Sequence, residues 1–391
     1  MISFILIVPA NPLLAEDWLD ELVEVDVKLL REIPVSSRAN ALVFSPDGRH
    51  LVAGDNRQST WGERHHARGD TSHIGGWVRG WNPTMGEPSL TFKAHQDRSV
   101  HALAFSPDGK RLASAGRDYR IRVTDLESGK PVFTIPYDTG LVRSLAYTPD
   151  GKHLVVGSGR GLVPLIDGDS GDIVDWLEDG RRWTSISSSQ QIYNISISSD
   201  GQYLVGGGDE GIFQKILRLW DLRTRKVVHS SSQTLTHTPI VAFSPASTWF
   251  VASGGPEHAV RAIDVKSKNT LATFPYHGAR VTDLLFAENG KLLVSSDAAG
   301  NVHIVDVFTG RLLRTLNPDT AGVRSLAYDP GSSRLAVSLD GEKGRIKVYR
   351  LEYRLVPPEQ AHFVICDPSA SERFDGRERL AKLDLKAPPR K

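Results

Sequence analysis

The pentapeptide Phe105-Ser-Pro-Asp-Gly109 is the most informative stretch of the 391-residue chain, because degenerate copies of it recur along the sequence. Seven copies align, at residues 44–48, 105–109, 147–151, 197–201, 243–247, 286–290 and 328–332. Successive copies begin 61, 42, 50, 46, 43 and 42 residues apart. A period of about 40–45 residues, lengthened in places by insertions, indicates a repeat architecture.

Each repeat predicts four short strands. In the second repeat, an alternating segment at 100–105 precedes the Pro-Asp-Gly turn, in which proline restricts φ and glycine accepts a positive φ. Three more strand-like segments follow, at 111–115, 121–125 and 131–135. Four antiparallel strands in about 43 residues form one blade of a β-propeller. Because a lone four-stranded sheet leaves both faces uncovered, the seven copies predict an all-β, seven-bladed propeller.

The third strand of each repeat ends at a position similar to the Trp-Asp dipeptide of the WD-repeat propellers. The dipeptide occurs literally once, as Trp220-Asp221. Aspartate without the tryptophan stands at the same position in four other repeats, as Asp125, Asp167, Asp264 and Asp306. On these residues, residues 25–352 resemble the WD-repeat family, which implies a propeller that serves as a rigid protein-binding scaffold.

The resemblance also implies a buried hydrogen-bonded set within a blade, made in the family by His, Ser or Thr, Asp and Trp. The second repeat comes nearest to it, with Thr124 in the Trp position beside His95, Ser114 and Asp118. In the sixth repeat His277 and Ser295 are similar, but the expected Asp position holds Ala299. We therefore expect a degraded network, with apolar packing between blades providing most of the stability.

The two ends of the repeat region predict how the ring closes. After residues 349–350 no clean fourth strand follows, because Val356-Pro357-Pro358 intervenes and proline pairs poorly in a sheet. Residues 25–33 form a spare strand before the first pentapeptide, and we expect them to complete the seventh blade. The predicted divisions are an N-terminal extension (1–24), the propeller (25–352) and a charged, proline-containing tail (353–391).

The N-terminal extension has two interpretations. Residues 1–10 are apolar but too short to span a bilayer, so no transmembrane segment is predicted. No Lys or Arg precedes this run, which favours a docked β-segment followed by a short amphipathic helix, and hence a cytoplasmic protein. The alternative is export, with residues 1–15 as a signal peptide that ends at Ala10 or Ala15.

Composition and motifs exclude several classes of function. Lys plus Arg number 47 and Asp plus Glu number 46, so no basic field predicts nucleic acid as a partner. The single cysteine, Cys366, excludes a disulfide framework and a cysteine-built metal site. Residues 206–211 match a dinucleotide-binding fingerprint but precede a strand instead of a helix, which predicts a hairpin. We predict no catalytic residue, no cofactor and no metal site.

The long first interval predicts an insertion at residues 56–76, between the second and third strands of its blade. It contains Trp61, His65, His66 and His73. An exposed loop available for binding is the favoured interpretation. Metal ligation by the three histidines is the alternative, although structural zinc usually has four well-spaced ligands.

Partners of WD-repeat propellers commonly bind around the channel mouth, where the innermost strands begin. The resemblance therefore implies a site at the positions six and four residues before each pentapeptide, which hold four arginines, two histidines and no acid. The residues selected are Arg38, Asn40, Ser99, His101, Arg143, Tyr193, His237, Arg280, Thr282 and Arg324. They predict a basic mouth for an acidic or phosphorylated peptide. The alternative is that these arginines are solvated rim residues.

The sequence thus predicts a non-catalytic scaffold that binds partner proteins or peptides at the channel mouth and belongs to a larger assembly. Two alternatives stay open. An exported propeller in a cell-envelope or redox assembly is favoured if residues 1–15 are cleaved. A propeller enzyme with a channel-mouth site is favoured if the purified protein retains metal.

Overall fold

A computed structural model describes most of the chain. The described residues are 22–35, 38–55, 76–96, 99–137, 140–159, 163–177, 190–210, 214–233, 237–255, 257–319, 321–340 and 344–356. They form seven four-stranded antiparallel sheets, which are the blades of an all-β, seven-bladed propeller as the repeats predict. Within these residues no helix is long and apolar enough to cross a membrane.

In blades 1 to 6 the strands follow one another in chain order from the centre of the ring to its outer edge. Blade 1 comprises β2 (Ala39–Phe44), β3 (Leu51–Asp55), β4 (Trp77–Trp81) and β5 (Pro88–Lys93). Blade 2 comprises β6 (Val100–Phe105), β7 (Arg111–Gly116), β8 (Arg120–Asp125) and β9 (Pro131–Pro136). Blade 3 comprises β10 (Val142–Tyr147), β11 (His153–Ser158), β12 (Val163–Asp167) and β13 (Ile173–Leu177). Blade 4 comprises β14 (Gln190–Ile197), β15 (Tyr203–Glu210), β16 (Gln214–Asp221) and β17 (Lys226–Gln233).

The remaining three blades also contain four strands each. Blade 5 comprises β18 (Val241–Phe243), β19 (Trp249–Ser253), β20 (Val260–Asp264) and β21 (Thr270–Phe274). Blade 6 comprises β22 (Val281–Ala287), β23 (Leu292–Asp297), β24 (Val302–Asp306) and β25 (Leu312–Leu316), with a 3-10 turn at Glu288–Gly290. Blade 7 comprises β26 (Val323–Asp329), β27 (Arg334–Leu339), β28 (Arg345–Val356) and β1 (Leu22–Pro34).

Strand β1 closes the ring from the N-terminal side, as the spare strand predicts. It pairs antiparallel with β28, with Val25 opposite Tyr353 and Ile33 opposite Ile346. Blade 7 therefore contains strands from both ends of the repeat region, in the order β1-β28-β27-β26. The pairing continues outward to Leu22 and Val356.

The pentapeptide forms the turn between the first two strands of a blade. In blade 2 the Ser106 hydroxyl donates to Asp108 Oδ1 at 2.5 Å, and the Lys110 N–H donates to the same oxygen at 3.0 Å. These two hydrogen bonds lower the pKa of Asp108. Gly109 has φ +72°, a conformation that favours glycine. The turn sequence thus sets where each inner strand ends.

The core lies between the blades. One apolar cluster joins Ile121 and Val123 of blade 2 to Leu154 and Val156 of blade 3, and all four side chains are fully buried. Other clusters pair blades in the same way around the ring. Each fully buried aliphatic side chain contributes about 1.5–3 kcal/mol, so inter-blade packing holds the inner strands in a fixed ring.

The buried network implied for the second repeat is present in blade 2. His95 Nδ1 lies 2.7 Å from Asp118 Oδ1, and His95 Nε2 lies 3.0 Å from Ser114 Oγ. The Arg122 guanidinium donates to Asp118 Oδ2 at 2.8 Å. Although burial alone raises it, hydrogen bonds from His95 and Arg122 lower the pKa of Asp118 to about 2.

The expectation for blade 6 was wrong in one residue. His277 Nε2 lies 2.7 Å from Ser295 Oγ, as expected, but its Nδ1 lies 3.2 Å from Asp297 Oδ2. The carboxylate therefore comes from the last residue of β23 and not from the position of Ala299. His277, Ser295 and an aspartate are thus joined in blade 6, although Val305 stands in the Trp position. An aspartate at the end of a strand reaches the same histidine as one in the following turn.

Two sequence features fall partly or wholly outside the described residues. Strand β3 ends at Asp55 and β4 begins at Trp77, which confirms that the insertion lies between the second and third strands of blade 1. Its residues 56–75, including the three histidines, lie outside the described part, as do the extension before Leu22 and the tail after Val356.

Candidate binding site at the channel mouth

The seven inner strands surround a central cavity of 870 Å³ that opens where those strands begin. Nine of the ten predicted site residues line this one cavity: Arg38, Asn40, His101, Arg143, Tyr193, His237, Arg280, Thr282 and Arg324. They meet because equivalent positions in equivalent strands point to the same axis. Ser99 is outside the lining; it is buried, and its carbonyl accepts the Arg117 N–H at 2.9 Å.

Acidic residues also reach the mouth, from positions other than the fourteen counted in the sequence. Asp340 Oδ1 lies 3.2 Å from Arg38 Nε, and Asp340 Oδ2 lies 3.2 Å from Arg324 Nη2. Arg324 Nη1 also donates to Asn40 Oδ1 at 3.2 Å. Asp340 follows the second strand of blade 7, so counting back from the pentapeptide does not find it. We call Arg38, Arg324 and Asp340 the paired arc.

A second acidic residue lies in the lining itself. Asp283 on β22 accepts the Leu284 N–H at 2.9 Å and the Leu326 N–H at 2.7 Å. Burial raises the pKa of Asp283 to about 6, against the opposing effect of these hydrogen bonds. Its main effect is structural, because it ties the inner strand of blade 6 to that of blade 7.

Blade 4 adds a cation at a position that counting back from the pentapeptide does not find. Lys215 lines the cavity from β16, the third strand of its blade, and its Nζ lies 3.0 Å from Asp209 Oδ2. Asp209 Oδ1 also accepts a hydrogen bond from the Thr238 hydroxyl at 2.6 Å. This lysine is therefore already paired. In the sequence, only the unusual length of the segments that form β15 and β16 could have indicated that it reaches the cavity.

The other side of the mouth carries arginines without such partners. Arg143 in blade 3 and Arg280 before β22 have no carboxylate within ion-pairing distance among the residues that the structure describes. The guanidinium carbon of Arg143 stands 5.4 Å from the centre of the Tyr193 ring, a cation–π contact. We call Arg143, Tyr193, His237 and Arg280, from blades 3 to 6, the open arc.

The two histidines contribute hydrogen-bonding groups and no charge at neutral pH. Burial, with the charges of Arg143 and Arg117 adding to it, lowers the pKa of His101 to about 4. Its Nε2 is buried and has no hydrogen-bond partner within the described residues. Burial and the charge of Arg280 also lower the pKa of His237, whose ring stacks on His258 with centroids 5.4 Å apart.

The dinucleotide-like glycines do not form a phosphate site. Residues 206–210 lie in β15, which pairs with β16, so the predicted hairpin is confirmed. A Cβ at Gly208 would stand 1.7 Å from the Gln191 carbonyl oxygen, and one at Gly207 would stand 2.1 Å from that of Pro239. These glycines are required because neighbouring backbones approach closely there.

Comparison with known sequences defines the class of protein. Four segments match the WD40 family, described as WD domain, G-beta repeat, at residues 86–125, 129–167, 268–306 and 310–350. Each match begins near the outer strand of one blade and ends with the third strand of the next, at the Trp-Asp position. The chain thus contains WD40 repeats within a seven-bladed β-propeller, and proteins with such repeats are generally non-catalytic scaffolds.

Three relatives illustrate the range of similarity. WD repeat-containing protein SL1-17 of Schistosoma mansoni is 29% identical over 43% of this chain and 53% of its own length. WD repeat-containing protein 82 of Drosophila melanogaster is 26% identical over 67% of this chain and 80% of its own. The U3 small nucleolar RNA-associated protein 21 homolog of Schizosaccharomyces pombe is 23% identical over 47% of this chain and 19% of its own length. The chain thus spans about half the length of the first of these relatives.

Proposed function

We propose that this propeller is a protein-interaction scaffold that binds an acidic or phosphorylated peptide on the open arc. The observation that supports it is the pair Arg143 and Arg280, two cavity-lining arginines without carboxylate partners among the described residues. Arg143 also lies against the Tyr193 ring. Arginine forms forked hydrogen bonds to carboxylate and phosphate, and these are about twice as strong as neutral ones.

The paired arc is a weaker candidate for the same contact. A ligand that binds Arg38 or Arg324 must compete with Asp340, which already lies 3.2 Å from each of them. It would also meet the negative charge of Asp340. The proposal therefore places the acidic group of the ligand over blades 3 to 6.

A protein partner fits the charge balance better than RNA. The formal net charge of the chain is +1, whereas nucleic-acid binding relies on a strong basic field. Membership of a larger assembly and a cytoplasmic location are parts of the same proposal. Export through residues 1–15 concerns residues outside the described part of the chain.

Affinity capture from native lysate, followed by mass spectrometry, tests the proposal. The test variant is Arg143→Glu/Arg280→Glu. The matched control is Lys110→Glu/Arg223→Glu, which makes the same change in charge at exposed turns on the opposite face. We expect the test variant to lose a partner that wild type and control both retain. Equal recovery with all three proteins would contradict the proposal.

A further inference from the structure

Blade 6 contains a buried cluster of two histidines and one aspartate. His277, Asp297 and His303 each offer one nitrogen or oxygen atom, and these atoms lie within 4.8 Å of one another. His277 Nδ1 is 3.2 Å from Asp297 Oδ2, and His303 Nε2 is 4.0 Å from the same oxygen. All three side chains are less than 10% exposed.

The equivalent place in blade 2 shows what the cluster lacks. In blade 2, Ser114 on β7 pairs in register with Arg122 on β8, and in blade 6 Ser295 pairs with His303 in the same way. Arg122 therefore occupies the position of His303. Its guanidinium is the cation that contacts the buried Asp118 carboxylate at 2.8 Å.

Asp297 has no such cation among the described residues. Its Oδ1 accepts hydrogen bonds from the N–H groups of Ala299 and Asn301, both at 3.0 Å. The Asn301 amide donates to Oδ2 at 3.0 Å. These donors are neutral, whereas a positive charge nearby would favour the ionised form of the carboxylate. Blade 6 thus has the carboxylate of blade 2 without its counter-ion.

The two imidazoles are held in an arrangement that suits metal ligation. His303 Nδ1 lies 3.0 Å from Thr315 Oγ1. In the tautomer whose Nδ1–H donates to this hydroxyl, Nε2 carries no proton, and its lone pair faces Asp297. Ser295 Oγ, 2.7 Å from His277 Nε2, fixes the other ring.

We propose that His277 Nδ1, Asp297 Oδ2 and His303 Nε2 bind one divalent transition-metal ion of the zinc class. Ligand bonds of about 2.0–2.2 Å separate neighbouring ligand atoms by about 3–4 Å, so the cluster needs only a small inward movement. When the ion binds, the proton of the neutral His277 ring is carried on Nε2, which donates to Ser295 Oγ, so that the Nδ1 lone pair faces the ion. The bound ion supplies the positive charge that Arg122 supplies in blade 2. This inference is independent of the channel mouth.

Cobalt titration of the full-length, chelator-treated protein tests the site, because Co²⁺ replaces Zn²⁺ and absorbs visible light. We expect one saturable Co²⁺ site per chain and a higher melting temperature when it is filled. His303→Asn should weaken binding at least about a hundredfold, which exceeds the loss typical of an outer-shell partner. The control His65→Asn/His66→Asn/His73→Asn removes the insertion histidines and should retain the site.

A second variant keeps the test decisive if His303→Asn fails to fold. His303→Arg recreates the arrangement of blade 2, so it should fold without metal, lose Co²⁺ binding and have a melting temperature that metal does not change. Absence of saturable binding by wild type would overturn the proposal. Unchanged affinity in the His303 variants, or loss of the site in the insertion control, would overturn it too.

Discussion

The two arcs of the channel mouth contain the same residue type at the same repeat positions, yet only one of them has unpaired charge. On the paired arc, Arg38 and Arg324 share Asp340. On the open arc, Arg143 lies against an aromatic ring, and neither Arg143 nor Arg280 has a carboxylate partner among the described residues. The repeat therefore determines where an arginine points, whereas its neighbour across the blade determines whether it is available to a ligand.

Charge reversal on the open arc should change the affinity for an acidic peptide more than any other variant considered. Arg143→Glu/Arg280→Glu should weaken binding of a synthetic phosphoserine peptide at least about tenfold, because it removes two charged contacts and adds repulsion. Arg38→Glu/Arg324→Glu should weaken it less than about threefold. Isothermal titration with the phosphorylated and unphosphorylated peptides measures both. Equal losses in the two variants would remove the distinction between the arcs.

Stability should show the reverse order. Arg324→Glu places a carboxylate beside Asp340 and removes the hydrogen bond to Asn40, so it should lower the free energy of unfolding by about 1 kcal/mol. Arg143→Glu loses only an exposed contact and should cost less than about 0.5 kcal/mol. Urea denaturation compares them. A larger cost for Arg143→Glu would show that the open arc is structural.

Two cavity groups should respond to pH in opposite directions. The pKa of His101 is lowered to about 4, so the unfolded chain takes up this proton first and the contribution of His101 to stability falls between pH 6.5 and 4. The pKa of Asp283 is raised to about 6, so its contribution rises as pH falls from 6 towards 4.

Variants of these two groups should therefore change the pH profile of stability with opposite sign. Compared with wild type, His101→Gln should gain about 1 kcal/mol in relative stability between pH 7 and pH 5, and Asp283→Asn should lose about as much. Urea midpoints measured at both pH values test this. Parallel profiles for wild type and both variants would show that neither group titrates differently on folding.

Removing the carboxylate of the paired arc should change peptide affinity least. Asp340→Asn should make Arg324 more available to a ligand and raise affinity for the phosphoserine peptide about twofold to threefold. The gain should disappear at high salt, because the contact is exposed to solvent. A loss of affinity would mean that Asp340 positions this arginine for binding.

The fold could be predicted from the sequence because its determinants are local. The turn around Asp108 and Gly109 recurs with the period of the blade, and both strands flanking it alternate visibly. The same register located nine cavity-lining residues. Charge pairing was not predictable, because Asp340 and Lys215 reach the mouth from other strands of their blades. Asp297 was missed for a related reason. It stands two positions before Ala299 in the sequence, yet its carboxylate contacts His277 Nδ1 as that of Asp118 contacts His95 Nδ1 in blade 2.

Site-directed photo-crosslinking can show whether a partner binds on the open arc. Replacing Tyr193 by p-benzoylphenylalanine puts the reactive group on the open arc, and the same replacement of Phe308 puts it on an exposed turn of the opposite face. In native lysate we predict an adduct from position 193, joined to an acidic or phosphorylated segment of a partner, and none with that partner from position 308. Crosslinking of the same partner from position 308 alone would contradict binding on the open arc.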